Sequence, residues 1–390
     1  MAAVHAQSRP TLLLAVVFAV AAGVATVLPN RTGMWLPLHL FVVGGVLLAI
    51  SAATQLLAVT WGAAPAPPGR TVGVQRALLA AGAGGLAVAR ELAVPTAFLA
   101  AAGLAVIASL ILLGLLLLRI RQTSVQARFA PVIDHYVAAL ALGVAGSVAG
   151  VLLVTGAGPV AADRLRAAHL TLNLLGLVGI VVAGTVPWFV ATTAKVRVSR
   201  RATPVHQRVQ LGALVLSTVT ATAGELTGSQ AVTSIGLASY ALCVAGVARL
   251  LPRLGAKQLR WAGPRLVQLL AGLAWLAGSV AVAAASGTLA DRAALVVAIG
   301  GYGQIVAGAL AYLGPVLRGG GHERLADGFR VTRSWLGLVA GSVAAVAAAL
   351  ALSGVLAAAV VVWVADIGVR GLLLAQGNGS SASTARISTR

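Results

Sequence analysis

Residues 167–190 read AAHLTLNLLGLVGIVVAGTVPWFV, and no Asp, Glu, Lys or Arg interrupts them. A stretch of that length and apolarity crosses the roughly 30 Å hydrocarbon core of a bilayer as a single helix. Arg164 and Arg166 precede it, and Lys195, Arg197, Arg200 and Arg201 follow. It reads as a membrane span bounded by basic loops, with one histidine, His169, just inside its first turn.

Eleven further runs share this character. The twelve cover roughly 11–29, 36–61, 72–89, 93–118, 135–156, 167–191, 209–226, 230–250, 266–286, 293–315, 334–352 and 354–374. The third is Gly- and Ala-rich and the weakest. The last two meet at a tight junction around Ser353 and Gly354. The first is read as a retained helix rather than a signal peptide, because the run is long and no clean cleavage site ends it. Of 390 residues, 59% are hydrophobic and only 9% charged, which leaves no room for a soluble domain between the runs. The expectation is an all-α, polytopic membrane helical bundle of about twelve transmembrane helices. One transmembrane domain fills 1–376, and a Ser-rich, disordered tail fills 377–390.

The charges test this count. Lys and Arg number 28 against 8 Asp and Glu, a net +20. With alternating sides, 23 basic residues fall on one face, and only Arg31, Arg90, Arg164, Arg166 and Arg292 fall on the other. That asymmetry is the positive-inside pattern, so both termini are expected in the cytoplasm. Basic residues confined to short loops serve topology and lipid headgroups, and no nucleic acid is expected as a partner. The single cysteine, Cys243, lies within a run and forms neither an intrachain disulfide nor a CxxC motif. No internal repeat is evident.

Ionisable groups inside spans mark candidate sites. Of the six histidines, only His39, in PLHLFVVGG, and His169 lie at the sparsely charged side, and they share a depth. Imidazole suits both haem iron and copper, so the pair is a candidate cofactor-binding and metal-ligating site. The plainer alternative is that each snorkels or hydrogen-bonds a neighbouring helix. Asn173 and Gly176 follow His169 at i+4 and i+7, on one helix face. Asn173 can orient an imidazole, and with Gly179 and Gly184 the glycines form a small-residue surface that admits another helix or a flat ring. Gly301, Gln304, Gly308 and Tyr312 form a second stripe, read as a packing seam. Glu225 is a candidate for relaying protons or capturing a cation, or else a group that simply faces water. Asp366 and Arg370, at i+4, read as a structural ion pair.

The string AAHLTLNLLGLVGIVVAGTVPWF resembles the histidine-bearing span of haem-copper oxidase subunit I relatives. These include the nitric-oxide-reductase and cbb3-like branches and the bacterial proteins often labelled copper oxidases. LHLFVVGG resembles their second-helix histidine, which ligates a low-spin haem in true oxidases. RFAPVIDHYVAA and GGYGQIVAGALAYLGPV also look like segments of that group. The resemblance implies the twelve-helix plan, a bacterial cytoplasmic (inner) membrane location, and haem b or copper held by His39 and His169 with Asn173 behind them. It also implies a redox partner or separate copper enzyme. The departures matter too. Thr171 stands where a second histidine would be, the seventh span lacks paired histidines, and the tenth carries Tyr302 and Gln304 in place of haem ligands. Terminal oxidase activity is therefore not implied. A transporter, and a cofactor-free scaffold or assembly subunit, are the competing expectations.

Overall fold

In the computed structural model, which describes residues 2–319 and 321–376, the described residues form helices joined by short loops, with no strand among them. The expected tail, 377–390, lies outside them. Among the described residues, eleven helices are long and apolar enough to cross a membrane. In order they are Ala3–Val27, Trp35–Gly62, Gly69–Glu91, Thr96–Thr123, Ala127–Thr155, Ala162–Ala194, Pro204–Thr227, Gln230–Leu250, Pro264–Ser286, Asp291–Arg318 and Ser353–Gln376. The remaining expected span is Trp335–Ala349, which follows the helix Gly321–Val331 at a 41° bend, and counting that pair as one crossing gives twelve. The protein is an all-α polytopic bundle that associates with a lipid bilayer. The spans are numbered one to twelve below, Trp335–Ala349 being the eleventh.

Three spans stand apart. The sixth is 94% buried, the second 78% and the tenth 67%, while no other single-helix span exceeds 44%. An apolar helix with no polar face belongs in the interior. These three lie four spans apart, and each contains π-helical turns, at Leu40–Val46, Thr171–Gly179 and Val297–Gly303. A π turn inserts one extra residue and locally frees backbone carbonyls from their usual partners.

The packing repeats with the same period. Each π segment rests on the span before it: two on one, six on five, ten on nine. The third and fourth members of each group pair with each other, as three with four, seven with eight and eleven with twelve. The groups join four to five, eight to nine and twelve to one, so three four-helix units close a ring around three central pillars. This recurrence is invisible as sequence similarity, because lipid-facing and packed surfaces accept many apolar residues. Close helix approach carries it instead. A Cβ added to Gly82 would come 2.9 Å from the Ala102 carbonyl oxygen, so spans three and four need glycine there.

The short eleventh span has a polar corner. Asp366 accepts from Arg370 Nε at 2.8 Å and from Ser334 Oγ at 2.5 Å. Arg370 Nη1 also donates to the carbonyls of Val331 and Arg333, at 2.7 and 3.0 Å. The Asp366–Arg370 pair is structural, as its i+4 spacing suggests, and it fixes the bend between Gly321–Val331 and Trp335–Ala349.

Candidate site at the outer ends of the pillars

His39 and His169 each stand immediately before the π segment of a pillar or one residue from it. His39 lies at one end of the short helix Trp35–His39. Its Nδ1 is 2.9 Å from the Trp35 carbonyl oxygen, and its ring stacks on Trp35 with centroids 3.9 Å apart and planes 22° apart. Arg90 lies over the same indole, 5.7 Å from its centroid. His169 Nδ1 is 2.8 Å from the Gly146 carbonyl oxygen of span five. A carbonyl only accepts, so both imidazoles carry their proton on Nδ1 and present Nε2 with its lone pair free. His39 lies within electrostatic reach of His169, and of Arg90 and Arg166. The two expected histidines thus stand at the starts of two pillars, each half-buried, with no direct contact between their rings among the described residues.

Glycines on span five make the seat for His169. A Cβ on Gly150 would lie 2.8 Å from His169 Cε1 and 2.9 Å from Nδ1, and one on Gly146 would lie 2.5 Å from Asn173 Nδ2. Both contacts are shorter than packed carbon atoms tolerate. Asn173 Nδ2 donates to the His169 carbonyl oxygen at 2.9 Å and sits 3.3 Å from Nδ1. Since Nδ1 already spends its only proton on Gly146, Asn173 flanks the ring and the Gly146 carbonyl orients it.

The small-residue surface on span six, expected to admit another helix or a flat ring, meets neighbouring helices. Gly176 faces Leu142 and Thr218, Gly179 faces the hydroxyls of Tyr240 and Tyr302, and Gly184 faces His135. The stripe on span ten is likewise a seam: Gln304 Nε2 donates to Leu338 O at 3.0 Å, and Gly308 meets the Arg265 carbonyl.

Sequence reasoning passed over the tyrosines. Tyr240 donates to Leu175 O at 2.8 Å and Tyr302 to Leu174 O at 2.5 Å, so spans eight and ten satisfy carbonyls of the π segment in span six. The usable signal was that two of only four tyrosines, Tyr240 and Tyr302, lie near the middle of apolar runs, where a hydroxyl must find a partner. Glu225 is another departure. It faces no water: it is 6% exposed and accepts from Thr171 Oγ1 at 2.7 Å, while its Oε2 has no partner among the described residues. Thr171 lies two residues beyond His169 and so points to a different side of the helix. Glu225 therefore does not join the histidine pair. No group of three or more His, Cys, Asp or Glu side chains among the described residues is arranged to hold a metal ion.

Two apolar cavities lie between the pillars. One, of about 110 Å³, is lined by Leu38, Phe41, Ile299, Gly303 and Trp363 among others. The other, of about 80 Å³, lies between Ile50, Tyr136, Val182 and Tyr302. His39, His169 and Asn173 line neither.

Fold and site together define a polytopic helical membrane protein of three four-helix units, with a histidine pair at one end of its pillars. No family model and no curated protein matches the chain.

Proposed function

We propose that this protein is a membrane metal-binding protein of haem-copper-oxidase-like architecture in a bacterial cytoplasmic membrane. It holds one copper ion through His39 and His169, and it serves electron transfer or copper handling for a redox partner or a separate copper enzyme. One observation carries the reading: both imidazoles spend Nδ1–H on a backbone carbonyl and keep Nε2 free, within electrostatic reach of each other. Metal-ligating histidines are held in this way, with the non-ligating nitrogen fixing tautomer and ring plane. The pillars add support, because spans two, six and ten are among those on which the resembled family bears its ligands.

Bound copper would supply a one-electron redox change. The chain's own residues do the rest. Trp35 and Gly146 hold the ring protons, Gly150 leaves room for the ring, and Asn173 flanks it. Arg90 and Arg166, near His39, disfavour a doubly charged ion, so the monovalent form suits this pair of neutral nitrogen donors.

Haem b is the alternative occupant of the same pair, because imidazole nitrogen also ligates haem iron. A cofactor-free scaffold is the second reading, favoured by the filled glycine surface of span six.

Metal analysis and a reduced-minus-oxidised spectrum of protein purified from cells supplied with copper and haem test the proposal. The expected result is about one copper per chain, lost at least about tenfold in both His39→Ala and His169→Ala. Haem bands abolished by the same substitutions would replace copper with haem. Metal-free, colourless wild-type protein would establish the scaffold.

A further inference from the structure

Arg265 is the second residue of the helix Pro264–Ser286, at the basic face of the bundle, and it is only 5% exposed. Its Nη2 donates to Trp261 O at 3.3 Å, while its Nε is buried with no partner among the described residues. Its guanidinium lies 4.3 Å from the Phe329 ring centroid and 6.0 Å from that of Trp261. No Asp or Glu among the described residues lies within ion-pair distance of it.

More cations gather at the same place. Lys195 Nζ sits 4.0 Å over the Trp261 ring, and Arg333 donates to Arg260 O at 3.0 Å while crowding Gly263. Lys195 and Arg333 are exposed, so they form a rim around a buried floor. Asp366 and Asp327 are engaged elsewhere, by Arg370 and Arg330. A buried cation without a counter-charge is costly, and a rim of like charges adds to the cost. It also stands at a helix N-terminus, where the backbone already favours an anion.

We infer that Arg265, Lys195 and Arg333 form a phosphate-binding site at the basic membrane surface, roofed by Phe329 of the helix Gly321–Val331. The guanidinium fork and rim amines match a tetrahedral oxyanion. The occupant carries a phosphate group, either the headgroup of an anionic lipid or free inorganic phosphate.

Native mass spectrometry of the delipidated full-length protein tests this with phosphatidylglycerol, phosphatidylcholine and inorganic phosphate as probes. Wild type should retain phosphatidylglycerol over phosphatidylcholine, or retain phosphate, and Arg265→Gln should weaken that retention by about tenfold or more. Arg292→Gln, on the opposite face, should leave it unchanged. Phosphatidylglycerol that resists excess inorganic phosphate identifies a lipid site, and displacement identifies free phosphate as the occupant. Should Arg265→Gln fail to fold, the double variant Lys195→Gln/Arg333→Gln takes its place. Equal retention of every probe by wild type and folded variant would overturn the site and leave Arg265 a purely structural cation.

Discussion

An imidazole has two ring nitrogens, and each buried or half-buried span histidine here hands one of them to a backbone carbonyl. His39 and His135 use the carbonyl four residues back on their own chain segment, a local bond that any helix offers. His169 reaches across to span five, so its orientation depends on how two spans meet. Gly150 decides that meeting. In Gly150→Val the new side chain must displace the His169 ring, at a cost of about 1–3 kcal/mol. We expect a lower unfolding temperature in detergent and loss of bound copper equal to that of His169→Ala. Gly212→Val, where nothing lies within 4 Å, is the matched control and should leave both unchanged. Unaltered stability and copper content in Gly150→Val would show that the ring is not seated on that glycine.

Helices in a membrane must satisfy their own backbone, since the hydrocarbon offers no partners. The π segment Thr171–Gly179 breaks that rule locally and is rescued from outside by two tyrosines. Leu174 and Leu175 are neighbours, so the two hydroxyls act on one distortion. Tyr302→Phe should destabilise the protein by about 1–3 kcal/mol, because a buried carbonyl loses its donor while ring packing is kept. Tyr240→Phe should cost a similar amount, and the double variant should depart from the sum, as coupled neighbours do. Thermal unfolding of the two single variants and the double variant reads this directly. Additive or negligible losses would mean that the π turn does not rely on the tyrosines.

The ring of three units has long-range closures. Arg9 of span one donates to Leu317 O at 2.6 Å near the end of span ten, and Arg166 pairs with Asp291 at 2.7 Å between the starts of spans six and ten. The latter is exposed, so it aligns the pillars without adding much stability. Sidedness follows from the loop charges and is open to labelling. In a Cys243→Ser background, Ala157→Cys and Arg200→Cys flank span six and should react with a membrane-impermeant maleimide from opposite sides. Leu352→Cys should react on the Ala157 side if Trp335–Ala349 crosses the bilayer. That helix is 15 residues long, about 22 Å, and is sheltered at one end by the Ser334–Asp366–Arg370 corner. Labelling on the Arg200 side would make it a re-entrant element and reduce the crossings to eleven.

The apolar runs, the basic loops and the pairing of Asp366 with Arg370 were legible in the sequence, because hydrocarbon thickness and helix pitch impose them on any chain that spans a membrane. His39 and His169 at one depth were legible for the same reason. The three-unit repeat was not, since packed glycines and alanines leave no shared string. Nor was the fate of the glycines on span six, or the burial of Glu225 and Arg265. Those depend on which helix faces which, and a residue's spacing along its own helix carries no record of its neighbours. Sequence alone determined which runs are apolar enough to cross and where their polar groups lie. Only the tertiary structure decided which of those groups meet, because in lipid the contacts between helices rest on close packing and hydrogen bonds made across spans, not on the hydrophobic pattern that each span shares with all the others.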